Sequence, residues 1–322
     1  MKALRQLGQE YFITYCTRTR LGDILAKLLF SPPTIADWAL DVASDVEPGF
    51  IIKPFIPTDN LILLSGQPKD GKKTWFAMLT ALVAATGQSI GPLVADKAVP
   101  VLYIYREGAR KPTLNRFEAL VEGHGFPRVQ GINNLYFHHR GNFWLDDGDC
   151  VADTCAFIRE KKIKLVYIDT FAKSVSSDEN SSRDMGVAVQ QAEKLRDAGA
   201  TVVLVHHLKK GTLHLSNGRS GFPDPDKDIR GSSSLAGAYE THWAVRGYPG
   251  PNSRIKETSL LLLGKETEGS QYSYDWEFIS EPGNDGDQIL RAVRLDIERI
   301  GPLQHIEGPK EPRGRGSDSD DF

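Results

Sequence analysis

The sequence has little cysteine, no long hydrophobic run and no strong charge of either sign. Cys16, Cys150 and Cys155 are an odd number without metal-ligand spacing, so they suit a reducing compartment and predict neither a disulfide framework nor a zinc site. No stretch approaches the roughly 18 apolar residues of a membrane span, and no signal peptide is evident at the N-terminus. We therefore expect a cytoplasmic protein without a membrane partner.

The net charge of −3 excludes a global basic signal, so any contact with nucleic acid must come from a local patch. The chain has 322 residues, which is enough for one large α/β domain with appendages or for two small domains. Its apolar content of 40% is ordinary for a soluble globular protein.

Residues 61–78 combine the elements of a phosphate-binding loop. Leu61–Leu64 predicts a buried strand, Gly66 and Gly71 bracket a short loop, and Trp75–Ala85 predicts a helix. Glycines let successive backbone N–H groups point at one anion, and the helix N-terminus adds partial positive charge. The predicted nucleotide-binding residues are Gly66, Gln67, Pro68, Lys69, Asp70, Gly71, Lys72, Lys73 and Thr74.

The register of this loop is open, because the pattern G-x-x-x-x-G-K fits Gly66 to Lys72 but is followed by Lys73 instead of Ser or Thr. In one register Lys72 is the phosphate lysine, and we favour it because both glycines then keep their usual places. In the other register the loop has one extra residue, so that Lys73 binds phosphate and the Thr74 hydroxyl helps to hold Mg²⁺. A plain glycine turn between a strand and a helix is the structural alternative.

Strands and helices alternate after this loop, which predicts a mainly parallel sheet flanked by helices. Ligands of such sheets bind at the carboxyl ends of the strands. The predicted strands are Val99–Tyr105, Asn134–His139, Lys164–Asp169 and Ala200–His206, and the predicted helices are Lys111–Gly123, Asp147–Lys161 with Asp147 as N-cap, and Asp184–Ala198.

The pattern changes from Thr241, where turn-rich loops join consecutive strands. Thr241–Arg246, Thr258–Leu263 and Tyr274–Ile279 predict an antiparallel extension of the sheet, and Asp287–Ile300 predicts a last helix. Residues 1–50 predict a helical lead-in (Leu21–Phe30 and Thr34–Ala43) that either caps the core or docks on a neighbouring subunit. The predicted domains are therefore residues 1–50, an ATPase-like domain at 51–300, and a disordered tail at 301–322.

Polar residues follow three of the predicted strands. Asp169 follows four apolar residues, as expected of a carboxylate that holds Mg²⁺ downstream of a phosphate loop. Glu107 is placed to polarise an attacking water, and His206, ahead of His207, to sense a γ-phosphate. The structural alternatives are a strand-end cap for Asp169, a solvent-facing Glu107 and a structural histidine.

The segment from Leu208 to Ile229 is long and has no predicted element, which is typical of a functional or a mobile loop. Lys209, Lys210 and Arg219 are candidates for contact with a nucleic-acid backbone, although three aspartates make the loop less basic. Arg230, fixed by the following Gly231-Ser232, is a candidate arginine finger that stabilises transition-state charge on a neighbour's nucleotide.

These stretches together resemble the RepA-like branch (plasmid replicative helicase type) of the RecA-fold P-loop ATPases, over about residues 50–265. The matching stretches, in family order, are Leu-Ile-Leu-Leu-Ser-Gly-Gln-Pro-Lys-Asp-Gly-Lys-Lys-Thr-Trp, Tyr-Ile-Tyr-Arg-Glu-Gly, Val-Tyr-Ile-Asp-Thr-Phe-Ala-Lys, Asp-Glu-Asn-Ser-Ser-Arg-Asp-Met, Val-Leu-Val-His-His-Leu-Lys-Lys-Gly and Arg-Gly-Ser-Ser-Ser-Leu-Ala-Gly. The sequence departs from the family pattern at Lys73.

The resemblance implies a RecA-like α/β fold and a homo-oligomer, commonly a hexameric ring, with ATP between subunits. It implies that Glu107 is the catalytic carboxylate, Asp169 the acid of the metal site, His206 the γ-phosphate sensor and Arg230 a residue acting across the interface. Loops after Asp169 and His207 would face a central channel for single-stranded DNA.

The sequence thus predicts an ATP- and Mg²⁺-dependent oligomeric motor on DNA, similar to a replicative helicase. One alternative is a nucleotide-gated assembly switch with little hydrolysis, and another is a recombination-type filament ATPase. The acidic end of the chain, residues 317–322 with a terminal Phe322, predicts either recruitment of a replication partner or simply a solvated acidic terminus.

Overall fold

A computed structural model describes residues 35–36, 49–66, 73–139, 141–176, 181–207, 238–249, 256–264, 270–282 and 288–302. The chain divides between Pro48 and Gly49, and the architecture below belongs to the unit from Gly49 onward. Of the predicted N-terminal helices, only Ile35 and Ala36 are described, and both are helical. The rest of the lead-in and residues 303–322 lie outside the described residues, so the predicted domain boundaries stay predictions.

One large sheet organises the described part of this unit, after a short antiparallel pair formed by β1 (Phe50–Ile52) and β2 (Ile56–Pro57). Its strands are β3 Leu61–Gly66, β4 Val101–Tyr105, β5 Leu135–His139, β6 Leu165–Asp169, β7 Thr201–His207, β8 Thr241–Pro249, β9 Lys256–Gly264, β10 Ser270–Pro282 and β11 Gln288–Pro302. They lie in the order β11-β10-β9-β8-β3-β7-β6-β4-β5. The six strands from β8 to β5 are parallel, whereas β8, β9, β10 and β11 pair antiparallel.

Four α-helices of the described chain cover the two faces of this sheet: α1 Lys73–Thr86, α2 Arg110–His124, α3 Gly148–Lys161 and α4 Ser182–Asp197. Helices α1 and α2 pack into one core with Val203 and Val205 of β7, and α3 and α4 pack into a second core with Val202 and Leu204. Because side chains alternate along a strand, each residue at a strand end faces one helix layer or the other. This alternation decides which polar side chains meet.

The helix α3 begins where the sequence predicts. The Asp147 side chain accepts hydrogen bonds from the backbone N–H groups of Asp149 (3.0 Å) and Cys150 (3.3 Å), so it satisfies two donors that the helix itself leaves unpaired. At the other end Lys162 adopts a left-handed conformation with φ of 53°. The helix ends there because its last turn closes on that residue.

The predicted last helix is wrong. Instead of a helix over Asp287–Ile300, the chain forms strand β11, which pairs with β10 along its length. Val293, Leu295 and Ile297 are buried while the residues between them are exposed, which is the two-residue period of a strand. A smaller correction concerns β8, which pairs parallel with β3 before the antiparallel part of the sheet begins.

Candidate nucleotide-binding site

The carboxyl ends of β3, β4, β6 and β7 meet at one edge of the sheet. Gly66 at the end of β3 is paired with His207 at the end of β7, and Asp169 at the end of β6 is paired with Tyr105 of β4. Glu107 follows β4 by two residues. The polar residues that the sequence places at separate strand ends are therefore gathered at one place, as the parallel sheet requires.

Gly66 also lies against β8. A Cβ atom at this position would lie 3.2 Å from the Val245 carbonyl oxygen and 3.6 Å from the Lys73 side chain. The chain is thus closely packed where β3 ends and the phosphate loop begins.

Lys73 is the first residue of α1, and its side chain is directed into the site. The ammonium donates to Nδ1 of His207 at 2.7 Å and to the carbonyl oxygen of Gly66 at 3.4 Å, and the residue is only 5% exposed. Burial lowers the pKa of Lys73 to about 8, while the negative charges of Asp169 and, less strongly, Glu107 oppose this shift. The lysine is therefore a buried cation within the field of both carboxylates.

Asp169 is fully buried, and its Oδ2 accepts a hydrogen bond of 2.8 Å from the hydroxyl of Tyr103. Burial raises the pKa of Asp169 to about 6, although the Tyr103 hydrogen bond lowers it, as do Lys73 and the nearby Thr74 hydroxyl. Its Oδ1 has no hydrogen-bond partner within the usual distance among the described residues. A buried carboxylate oxygen left without a partner, close to a threonine hydroxyl, fits a hard cation with oxygen ligands such as Mg²⁺.

Glu107 is linked to the residue that follows Asp169. Its Oε1 accepts a hydrogen bond of 3.2 Å from the hydroxyl of Thr170, the residue directly after Asp169. The backbone N–H of Arg106 donates to the Asp169 carbonyl oxygen at 2.7 Å. The turn that carries Glu107 is therefore tied to the strand end that carries Asp169.

The Arg106 side chain also holds the turn that carries Glu107. Its Nε donates to the carbonyl oxygen of Lys173 at 3.2 Å, and its Nη1 donates to that of Gly141. The guanidinium lies over the Trp144 ring, 4.5 Å from the ring centroid. Sequence reasoning missed Arg106, Thr170 and Tyr103, because nothing in the order of the motifs reveals which side chains meet across neighbouring strands.

The two histidines at the end of β7 face opposite helix layers. His206 packs edge-on against Phe171, with ring centroids 5.6 Å apart, in the layer of α3 and α4. His207 faces the α1 layer and contacts Lys73. His206 as the γ-phosphate sensor, ahead of His207, stays a prediction; the alternation along β7 puts His207 on the same face as Val205.

Several predicted site residues lie outside the described residues, and the structure gives no position for them. They are Gln67, Pro68, Lys69, Asp70, Gly71 and Lys72 of the phosphate loop, the nucleic-acid candidates Lys209, Lys210 and Arg219, and the candidate arginine finger Arg230. Of the predicted nucleotide-binding residues, Gly66, Lys73 and Thr74 are described. No helix in the described part of the chain has the length and apolar character of a membrane span.

A family model and a solved structure connect this architecture with known proteins. The model of the AAA domain family AAA_25 matches residues 30–212, which is more than half of the chain. One solved structure, an ATPase domain, has a TM-score of 0.57 at 13% identity, covering 76% of this chain and 95% of that one, and this likeness shows a RecA-like P-loop NTPase fold. A KaiC-like protein from the hyperthermophilic archaeon Pyrococcus horikoshii OT3 has a TM-score of 0.45 at 16% identity, with coverage of 76% and 97%. A search of curated proteins found no match.

Proposed function

The chain belongs to the AAA domain family AAA_25, and from this membership we propose that it binds and hydrolyses ATP at the carboxyl edge of its parallel sheet. The observation that carries the proposal is the convergence of one buried ammonium, that of Lys73, with the carboxylates of Asp169 and Glu107. A triphosphate needs cationic neutralisation at one end, and hydrolysis needs a carboxylate beside the attacking water.

We assign the phosphate role to Lys73, which corresponds to the register with one extra loop residue. Lys73 supplies a charge at the N-terminus of α1, where backbone N–H groups also point outward. The Thr74 hydroxyl and Asp169 would hold Mg²⁺, which neutralises charge on the β- and γ-phosphates when it is bound. The proximity of Thr74 to the Asp169 carboxylate supports this register.

Glu107 would orient and deprotonate the attacking water, and its hydrogen bond from Thr170 would hold the carboxylate in position. His207 accepts a hydrogen bond from Lys73, so a phosphate that takes over the lysine would release this histidine. The same strand end could therefore report nucleotide occupancy to the segment that follows it.

The further function that we propose is a homo-oligomeric motor on single-stranded DNA, with subunits arranged as a hexamer. It is supported by the resemblance to plasmid replicative helicases in the stretch Val-His-His-Leu-Lys-Lys-Gly and in Arg-Gly-Ser-Ser. In this role Lys209, Lys210 and Arg219 contact the DNA backbone and Arg230 acts on a neighbouring subunit's nucleotide. The second candidate is a nucleotide-gated switch, favoured by the departure of the phosphate loop from the usual pattern, which in the register assigned here is one extra loop residue.

Both proposals, ATP hydrolysis at this site and a motor on DNA, are tested by the ATP turnover of wild-type protein and of three variants, with and without single-stranded DNA. Lys73→Ala and Glu107→Gln should each reduce the turnover number by about 100-fold or more, because they remove charge stabilisation or the base. Lys72→Ala is the matched control and should keep most of the activity. A harmless Lys73→Ala with an inactive Lys72→Ala would show that the other register is right.

Stimulation by single-stranded DNA separates the motor from the switch. A motor should hydrolyse ATP faster when DNA is added and should unwind a duplex with one polarity. ATP binding with negligible turnover, with or without DNA, would support the switch, and ATP-dependent filaments in electron micrographs would support a recombination-type ATPase.

A further inference from the structure

A buried polar group links β8 to β3 just before the phosphate loop. The Ser65 hydroxyl and Nε2 of His242 form a hydrogen bond of 2.7 Å, and both residues are buried. The Tyr239 hydroxyl is hydrogen-bonded to Nδ1 of the same imidazole at 3.3 Å, and the two ring centroids are 4.9 Å apart. Tyr239, His242 and Ser65 thus form one chain of hydrogen bonds, which we call the His242 network.

The His242 network lies in an otherwise apolar layer. Tyr239 belongs, with Leu61 and Leu63 of β3, to the core that α3 and α4 form against the sheet. Apolar side chains could fill this space without the cost of removing polar groups from water. A hydroxyl–imidazole pair adds direction, because one nitrogen of a neutral imidazole donates and the other accepts. The network therefore fixes β8 against the end of β3 more narrowly than apolar contact would.

The position of Ser65 matters because the next residue contacts the proposed phosphate lysine. The carbonyl oxygen of Gly66 accepts a hydrogen bond of 3.4 Å from the Lys73 ammonium, and Gly66 is paired with Val245 of β8. Strand β8 thus holds the end of β3 both through backbone pairing and through the His242 side chain. A shift of Ser65 would displace the Gly66 carbonyl, and a misplacement of about 1 Å in a site can lower a rate by about 100-fold.

We infer that His242 is a positioning residue of the proposed ATP site, because through Ser65 it sets where β3 ends and how the phosphate loop meets Lys73. This inference rests on the proposed function, since it concerns how the chain holds the phosphates of the same ligand. It adds a residue of β8, more than 160 positions from the loop in the sequence, to those that determine the geometry of the site.

The affinity for ATP with Mg²⁺, measured by calorimetry, and the turnover number together test the inference. Ser65→Ala and His242→Leu should each weaken ATP binding by about tenfold and lower turnover by about tenfold. The double variant should be no worse than His242→Leu alone, because both substitutions remove the same interaction. Losses that simply add would show that the two residues act independently.

Two amide substitutions separate positioning from packing. The Gln side chain can place its amide nitrogen where Nε2 of His242 lies, whereas the shorter Asn reaches only the place of Nδ1. His242→Gln should therefore keep the Ser65 hydrogen bond and most of the wild-type affinity and turnover. His242→Asn should behave as His242→Leu does, although it also buries an amide.

Thr201→Val is the matched control, because it removes another buried hydroxyl of the same sheet. That hydroxyl donates to the Pro57 carbonyl oxygen at 2.9 Å at the start of β7, away from the phosphate loop. The substitution should leave ATP affinity and turnover unchanged. Denaturant unfolding of each variant shows that the fold is kept, and if His242→Leu does not fold, Ser65→Ala decides the question, since it removes a single oxygen.

The outcomes separate the two proposals. Wild-type protein that does not bind ATP overturns the proposed function and this inference together. Wild-type protein that binds and hydrolyses ATP, with Ser65→Ala and His242→Asn equally active, overturns the positioning role alone. Equal losses in His242→Gln and His242→Asn, additive losses in the double variant, or a loss that Thr201→Val reproduces also overturn it, by assigning the effect to packing of the core.

Discussion

Lys73 is nearly removed from solvent before any ligand arrives, and its pKa of about 8 gives ATP binding a pH dependence. Below about pH 8 the ammonium is already charged, so affinity should be independent of this group. Above that pH the free protein loses the proton, and binding must take it up again because the triphosphate favours the charged form.

The dissociation constant for ATP should therefore rise by up to about tenfold per pH unit above pH 8. Calorimetry in buffers of different ionisation enthalpy should detect the uptake of a proton at pH 9. Lys73→Arg is the matched variant, since arginine stays charged and should give a flat profile. A wild-type affinity that is constant from pH 7 to 9.5 would contradict the prediction.

Asp169 is a residue at which stability and function oppose each other. Burial raises its folded-state pKa to about 6, so the native protein binds a proton more tightly than the unfolded chain does. Protonation therefore stabilises the fold at low pH, and this stabilisation is lost as the pH rises through about 6.

A neutral side chain at residue 169 should restore, at pH 7, the stability that is lost when the Asp169 carboxyl ionises. We expect Asp169→Asn to raise the free energy of unfolding by about 2 kcal/mol and to abolish turnover, because the amide keeps an acceptor for Tyr103 but not the charge. Denaturant titration of the ligand-free protein measures this, with the exposed Asp153→Asn as control. An Asp169→Asn variant that is less stable than wild type would show that interactions of the charged carboxylate outweigh the cost of burying it.

At the scale of elements, the end of β4 is held against the end of β6 by Arg106. Loss of this side chain should loosen the turn that carries Glu107 without touching the groups that bind phosphate. We expect Arg106→Leu to lower kcat by about tenfold with little change in KM.

Arg106→Lys should recover only part of the activity, because lysine cannot make both hydrogen bonds and the contact with Trp144. The exposed Arg159→Leu is a control for loss of charge and should have no effect. A change in KM alone would assign Arg106 to nucleotide binding instead of the positioning of Glu107.

The elements of the parallel core could be predicted from the sequence because each has a clear apolar period and turn residues at its ends. Strand β11 was missed although Val293, Leu295 and Ile297 alternate with Arg294, Asp296 and Glu298, which is the pattern of a half-buried strand. This two-residue period was readable in the sequence, and the pairing of β11 with β10 bears it out.

Only part of the candidate site could be predicted from the sequence. Strand ends of a parallel sheet share an edge, so the placement of Asp169 and Glu107 at the same edge follows from the pattern alone. The hydrogen bonds of Tyr103 and Thr170 do not, because they depend on β6 lying beside β4, and strand order is set by how the whole chain packs.

At the scale of the whole molecule, the proposed ring places the active site between subunits. Lys73→Ala and Arg230→Ala subunits should each be inactive alone. If Arg230 acts across the interface, mixing them should restore part of the turnover, because some interfaces then pair an intact Lys73 with an intact Arg230.

Steady-state turnover over a range of mixing ratios measures this recovery, and it should peak near equal amounts. Mixing two preparations of Lys73→Ala protein is the control and should give no gain. No recovery at any ratio, in preparations that assemble normally, would place Arg230 in its own subunit's site.

Gly66 is also needed for the packing of the sheet, because it lies close to Val245. Its missing side chain is the spacer that lets β8 run alongside the strand leading into the phosphate loop, and any larger residue would push the Val245 carbonyl back by a few tenths of an ångström. Because β8 is also where the sheet turns from parallel to antiparallel pairing, such a push would act on β9, its antiparallel partner. A substitution at residue 66 would then disturb the packing of the sheet as well as the binding of phosphate.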